Sequence, residues 1–249
     1  MTSFEYSQES IQEPFMRIKS FKTKSREYFY AAAVSPNNES IVCVCKSNKL
    51  VSFPFGKIDI LLTTENHFQN TPFAMHASQL TSMDVCTGTL PLVVTVGLDK
   101  LVRIVNHENM TCVLHQYLSP SYGDPIVVAL HPCATILAIA FQSEIRLFDI
   151  LHDRVSEKGR IAIRRCADLR FSHGGQFLAC CANNNLSIYS KYPGVLSLSL
   201  HRHIGAIKSL RFSIDGSVIF TAGADGAVFA HRLTDEKTID EICFTVGTS

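Results

Sequence analysis

The sequence predicts an all-β chain of repeated four-stranded sheets, a β-propeller, on three observations. Five segments share one pattern: an apolar triplet, a turn, an apolar strand, a second polar turn and an alternating strand. The residue near the end of each unit is Phe53, Val105, Phe148, Tyr189 and His231, with successive gaps of 52, 43, 41 and 42 residues. No stretch sustains apolar residues at helical spacing. A period of about 42 residues built from short strands is the sequence sign of one propeller blade per repeat.

In chain order, residues 1–27 read as an N-terminal extension or edge strand, where the lysines of "RIKSFKTKSR" would protect an exposed edge. Residues 28–235 hold the blades, and 236–249 a C-terminal strand or tail. Two weaker copies come first, "AVSPNNESIVCVCKSNKLVSFP" from residue 33 and "MDVCTGTLPLVVTVGLDKLVRIVN" from residue 83. Three stronger ones follow: "VALHPCATILAIAFQSEIRLFD" from residue 128, "LRFSHGGQFLACCANNNLSIYS" from 169 and "LRFSIDGSVIFTAGADGAVFAHR" from 210. Strands are read from alternation, with Ile145 and Leu147 on one face and Arg146 and Phe148 on the other. Their connections carry turn chemistry: "SPNN", "HPCA", "SHGG" and "SIDG".

Composition narrows the function classes. A chain of 249 residues can bury a sizeable core, and all-β domains of this length are often single. Lys+Arg 23 against Asp+Glu 22 leaves a formal charge of +1, so the surface as a whole offers no footprint for nucleic acid or an anionic membrane. Neither partner is expected. Nine cysteines, mostly inside apolar runs such as "IVCVC" and "FLACC", read as small core hydrophobes of a reduced compartment. "MTSFEYSQESIQEP" has no apolar leader core, and "IVVALHPCATILAIAF" is broken by His131 and Pro132 and too short to span a bilayer. A soluble intracellular protein is the expectation.

Several residues invite a chemical reading. Gly174 and Gly175 lie where sister units have Asn37-Asn38, Cys133-Ala134 and Asp215-Gly216, so they read as hairpin turn residues; no helix with Lys and Ser/Thr follows to make a phosphate loop. Cys180 and Cys181 are adjacent on a strand and point to opposite faces. Cys43 and Cys45 share a face without a second ligand pair nearby, so core packing is expected for all four. His173 is expected exposed in a turn. "GRIAIRRCADLR" concentrates Arg160, Arg164, Arg165 and Arg170. Arginine suits acidic tails and phosphates alike, so Arg160, Arg164 and Arg165 are candidate partner contacts, weighed against a solvated outer strand and connecting loop. No nucleophile elbow, Walker motif, HExxH or cluster of metal ligands is present in the sequence, and no catalytic residue, cofactor or metal is expected.

Two units resemble WD40 repeats closely. In those repeats a His before the first strand, a Ser/Thr on the second, an Asp in the next turn and a Trp on the third form one hydrogen-bonded set. The second unit has His76, Thr95 and Asp99 with Val105 at the Trp position; the last has His203, Thr221 and Asp225 with His231 there. The His-to-Asp spacings are 23 and 22, and both units show Thr-x-x-x-Asp. The chain has no Trp, so every set lacks its fourth member. The stretches "LTSMDVCTGTLPLVVTVGLDKLVRIVNHE", "RCADLRFSHGGQFLACCANNNLSIY" and "HIGAIKSLRFSIDGSVIFTAGADGAVFAHRL" are similar to blades of the cilia- and flagella-associated protein 57 family, over roughly residues 28–235. That resemblance implies a non-enzymatic scaffold of the ciliary or flagellar axoneme, with inner dynein arms and regulatory complexes as protein partners. A cytosolic WD-repeat adaptor, whether substrate receptor or RNA-associated assembly factor, is the alternative. Five blade signatures are fewer than that family's propeller has, so the sequence reads as a fragment, a shortened product or a ring closed by something else.

Overall fold

A computed structural model describes residues 29–35, 39–45, 48–54, 69–70, 74–190, 192, 195–233 and 241–245, which form twenty β-strands and no α-helix. Among these residues no helix is long and apolar enough to cross a membrane. The strands make five four-stranded antiparallel sheets, the blades of a propeller. Blade one is β1 (Phe29–Val34), β2 (Ser40–Cys45), β3 (Leu50–Pro54) and β4 (Gln69–Asn70). Blade two is β5 (Leu80–Val85), β6 (Leu92–Gly97), β7 (Leu101–Asn106) and β8 (Thr111–Tyr117). Blade three is β9 (Val127–Leu130), β10 (Ile136–Ala140), β11 (Ile145–Ile150) and β12 (Val155–Ile161). Blade four is β13 (Cys166–Phe171), β14 (Phe177–Ala182), β15 (Asn185–Ser190) and β16 (Val195–Leu200). Blade five is β17 (Ile207–Phe212), β18 (Val218–Gly223), β19 (Ala227–Arg232) and β20 (Glu241–Thr245), so this sheet runs past residue 235. The basic stretch at residues 17–26 and the turn residues Asn37 and Asn38 lie outside the described residues.

Turn chemistry sets the hairpins. The first turn of blades three, four and five places Ala134, Gly175 and Gly216 at positive φ, 52°, 70° and 73°. Glycine reaches that conformation without steric cost. Gly175 has a second reason, since a Cβ there would sit 2.3 Å from His131 Nε2. The double glycine is hairpin architecture.

The first strands, β1, β5, β9, β13 and β17, pack against one another in succession around the inside of the arc. Among the described residues no comparable packing joins β17 back to β1. Each sheet is apolar on two faces. One face of blade two, with Val94, Val96, Val102 and Ile104, packs on Leu130, Leu137, Ile139 and Phe148 of blade three. Blade three turns Ala138, Ala140, Ile145 and Leu147 against Leu169, Leu178, Cys180 and Tyr189 of blade four. Blade four offers Ala179, Cys181, Leu186 and Ile188 to Ile207, Leu210, Phe212 and Ile219 of blade five. Val42, Val44 and Leu50 of blade one meet Met83, Val85, Val93 and Val105 of blade two in the same way. Cys180 and Cys181 therefore serve two different interfaces, as adjacent residues of a strand must.

Inner strands are also joined by side chains. Ser82 and Asp84 of β5 accept the Val128 and Leu130 N–H groups of β9, at 3.2 and 2.9 Å. Asp168 of β13 accepts the Leu210 N–H of β17 at 3.0 Å and pairs with Arg211 at 3.0 Å. Arg170 differs from its reading as part of a solvated basic stretch: its side chain is 22% exposed, and its guanidinium pairs with Asp84 of blade two and Asp168 beside it. Strand register puts Asp84, Ala129, Arg170 and Arg211 at one level of four successive inner strands. The small Ala129 leaves the space through which Arg170 reaches Asp84. Burial pushes the Asp84 carboxyl upward, and the nearby Arg170 charge pulls back against it.

Removing one partner of a mostly buried pair strands the other charge. Arg170→Met should therefore destabilise by about 3 kcal/mol, the low end of the range for such losses, since both side chains keep some contact with water. Asp84→Asn in the same chain should recover part of it. Urea midpoints of the two variants check this, and equal midpoints for wild type and Arg170→Met would contradict it.

Candidate functional site

Two polar sets fix one end of the propeller, where the loops entering each inner strand meet the turns between each blade's second and third strands. In blade two His76 Nδ1 is 2.9 Å from Asp99 Oδ1, and Nε2 is 3.0 Å from Thr95 Oγ1. With Asp99 ionised, Nδ1–H donates to the carboxylate, leaving Nε2 to accept the Thr95 hydroxyl proton. The same carboxylate accepts the Ala77 N–H at 2.8 Å and the Leu101 N–H at 3.2 Å, so it ties the entering loop to the turn. In blade five His203 Nδ1 is 3.0 Å from both Asp225 oxygens and Nε2 is 2.9 Å from Thr221 Oγ1. Asp225 accepts from the backbone of Ile204 and Ala227 at 2.9 and 3.1 Å.

The residues at the Trp position divide by chemistry. Val105, Phe148 and Tyr189 are buried in the apolar interfaces. Phe53 sits on β3 opposite Ile41. His231 instead places Nε2 3.1 Å from Thr221 Oγ1, so blade five has a four-membered relay, Asp225, His203, Thr221 and His231. Phe229 packs edge-on against the His203 ring at 4.7 Å and stacks on His231 at 6.0 Å. Sequence reasoning missed two members of these sets. A Cβ on Gly97 would lie 2.7 Å from His76 Nδ1, and one on Gly223 would lie 2.4 Å from His203 Nδ1. The shared pattern Thr-x-Gly-x-Asp carries that signal.

Electrostatics of the blade-two set favours neutral imidazole. Burial lowers the pKa of His76, against the raising effect of Asp99. Burial works to raise Asp99, but the His76 and Ala77 hydrogen bonds hold it below its ordinary value. His107 and His131 are also lowered, chiefly by burial. The thiols move the other way: burial pushes Cys43 up to about 11 and Cys181 up to about 12, which keeps them protonated and unreactive. Among the described residues no group of three or more His, Cys, Asp or Glu converges to hold a metal.

The basic stretch is split by the fold. Arg160 lies on the outer strand β12 with its side chain 70% exposed, 3.8 Å from Glu144. Arg164 and Arg165 lie exposed in the loop entering β13, and neither has an ion-pair partner among the described residues. That loop is pinned by the Arg165 N–H, which donates to Gln142 of the neighbouring turn at 3.1 Å. At the same end, in the loop entering β17, Ile204 is 95% exposed. Arg164, Arg165 and Ile204 thus stand on one rim, over loops held rigid from beneath. His173, expected exposed, is half-buried in its turn.

Residues 194–230 match the WD domain, G-beta repeat family. Cilia- and flagella-associated protein 57 of Mus musculus is 30% identical over 204 residues, which cover 82% of this chain and 16% of that protein. Cilia- and flagella-associated protein 57 A of Tetrahymena thermophila is 27% identical, over 81% of this chain and 16% of that protein. WD repeat-containing protein 1 of Bos taurus is 30% identical over 48% of this chain and 20% of its own length. The chain thus spans about a sixth of the cilia- and flagella-associated relatives it matches. Among solved structures, the β-propeller domain of Cps50 (Swd1) from Myceliophteria thermophila superposes with a TM-score of 0.69 at 12% identity, covering 88% of this chain and 74% of that one. At that identity the likeness speaks for the fold.

Thr221→Val leaves two buried imidazole nitrogens without their partner and should cost about 1–3 kcal/mol. Thr95→Val should cost less, because Val105 donates no hydrogen bond to it. Chemical denaturation of the two variants orders them, and the reverse order would contradict the relay. A pH effect also follows. His76, His107 and His131 have lowered pKa values in the fold, so the unfolded chain takes up protons first as pH falls below the ordinary histidine value of 6.5. Their contribution is complete above that value and is lost as pH drops toward the folded pKa values. Asp99 adds a loss of the same sign only below 3.8. The urea midpoint should fall between pH 7.5 and pH 5.5; a constant or rising midpoint would contradict the assignment.

Proposed function

We propose, from a chain that is a WD40-repeat β-propeller protein resembling cilia- and flagella-associated protein 57, that it serves as a non-enzymatic scaffold of the ciliary and flagellar axoneme. The observation that carries this reading is similarity to that protein along 82% of the chain, spread over successive blades. Its partners are proteins, and the resemblance points to contacts that assemble or anchor inner dynein arms and associated regulatory complexes. The chemistry agrees with a scaffold: burial raises the Cys43 and Cys181 thiols, and the His–Thr–Asp sets hold loops in place.

Partner contact is assigned to Arg160, Arg164 and Arg165. The two loop arginines are exposed and have no ion-pair partner among the described residues, and the Arg165 N–H ties their loop to a neighbouring turn. A rigid loop loses little entropy on docking, and arginine forks suit carboxylate-rich surfaces.

A tagged chain expressed in ciliated cells should remain with detergent-extracted axonemes. Arg164→Glu combined with Arg165→Glu should lower that retention several-fold, or release the protein at lower salt, with an unchanged circular dichroism spectrum. A diffuse cytosolic signal absent from extracted axonemes would reject the axonemal reading in favour of a cytosolic adaptor. Crosslinking to RNA that depends on Arg164 and Arg165 would select an RNA-associated adaptor.

A further inference from the structure

The loops that enter β13 and β17 carry a basic surface on the inner rim of blades four and five. Arg164 and Arg165 are exposed in the first loop. Lys208 joins them from the neighbouring inner strand. A bulge between Ile207 and Ser209 makes Lys208 an extra residue without a partner on β18, and its side chain is exposed. None of the three cations has an ion-pair partner among the described residues. The carboxylates around them are already engaged. Glu144 pairs with Arg146, and Asp168 with Arg170 and Arg211. Asp225 accepts from His203 and from the backbone of Ile204, Gly205 and Ala227. The described residues therefore leave this positive charge unbalanced.

The rim is also rigid. The Arg165 N–H donates to Gln142 at 3.1 Å, the Ile207 N–H to Asn183 at 2.6 Å and the Ile204 N–H to Asp225 at 2.9 Å. Ile204 stands among the cations, 95% exposed. The amide side chains of Gln142, Asn183 and Asn184 are exposed on the supporting turns and suit the backbone of an extended chain.

We propose that this rim binds an extended, carboxylate-rich segment of a partner protein, with an aliphatic residue of that segment seated on Ile204. The proposal rests on the assignment of Arg164 and Arg165 as partner contacts; it adds Lys208 and Ile204 and names the ligand. Charge complementarity selects the acid, and guanidinium forks pair with carboxylates on two hydrogen bonds. Nucleic acid fits less well, because these loops and turns hold no Phe, Tyr or Trp on which a base could stack. The chain's own acidic residues outside the described ones also fit less well. The connections from β3 to β4 and from β19 to β20 leave from the opposite end of the blades. Residues 1–28, which precede β1 at this end, set Arg17, Lys19, Lys22, Lys24 and Arg26 against four glutamates, so they bring no net negative charge.

The test titrates the 249-residue chain into a fluorescent decapeptide with six glutamates around a central Val-Leu pair, followed by anisotropy. Binding should weaken at least fivefold when the glutamates become glutamines, and again as NaCl rises from about 50 to about 300 mM. Arg164→Glu and Lys208→Glu should each weaken it at least fivefold, and the milder Lys208→Gln about twofold, with unchanged circular dichroism spectra. Ile204→Ser should weaken binding about threefold, yet leave unchanged the binding of a peptide with serines in place of Val-Leu. A glutamate peptide that does not bind would overturn the proposal. So would Lys208→Glu and Ile204→Ser variants that bind as the wild type does; if Arg164→Glu still weakens binding, the arginine contacts stand without this ligand site. Tighter binding of a single-stranded RNA decamer than of the peptide would overturn it in favour of nucleic acid. A tenfold gain in peptide affinity on changing Glu5, Glu9 and Glu13 to glutamine would overturn it in favour of the chain's own N-terminal segment. Loss of axonemal retention with peptide binding intact would reject the ciliary reading alone.

Discussion

A four-stranded sheet whose central strands are apolar on both faces cannot be stable alone, because each face must be taken out of water. In blades two to four the residues of β6, β10 and β14 are nearly all buried, those at even and odd positions alike. Covering one face with the preceding sheet leaves the other to be covered by the next, and this requirement generates a ring instead of a two-layer sandwich. It also explains the residue sizes. Ala138, Ala140, Ala179 and Cys181 form small faces into which the larger Leu169, Leu178, Leu210 and Phe212 of the following blade fit. The buried cysteines Cys180 and Cys181 are part of this fitting.

Polar groups enter such a structure where every bond can be completed. Blades two and five place a threonine at the middle of the second strand and complete it with histidine and aspartate. Blades three and four put Ile139 and Cys180 at the same register and pack them into the apolar interfaces. Both arrangements leave the second-strand residue itself without an unsatisfied polar atom, and a half-built set would be worse than either. His231 extends the logic. With no tryptophan in the chain, an imidazole supplies the N–H that the Thr221 oxygen accepts.

Much of the fold was legible because its signals are local. A strand of five or six residues, a turn with Gly, Asn or Asp, and a repeat of about 42 residues can each be read within a short window. The His–Asp spacing of the two polar sets was legible for the same reason, since one blade contains all of its members. Arg170 was not. Its neighbours Arg164 and Arg165 make a basic run, and only its inward direction on β13 separates it from them. The need for glycine at 97 and 223 shows only once the imidazoles beside them are placed, because a methyl group there would not fit.

By itself the sequence determined an all-β propeller of repeated blades and which residues could form the His–Thr–Asp sets. Those properties follow from alternation, turn conformation and hydrogen-bonding capacity, all of which act over a few residues or one repeat. Tertiary structure alone decided that Asp84 and Arg170 meet across blade three, and that Arg164 and Arg165 stand exposed on a fixed rim. Each of these depends on how far one sheet turns relative to the next. That angle is set by the packing of two apolar faces, and no single strand contains it.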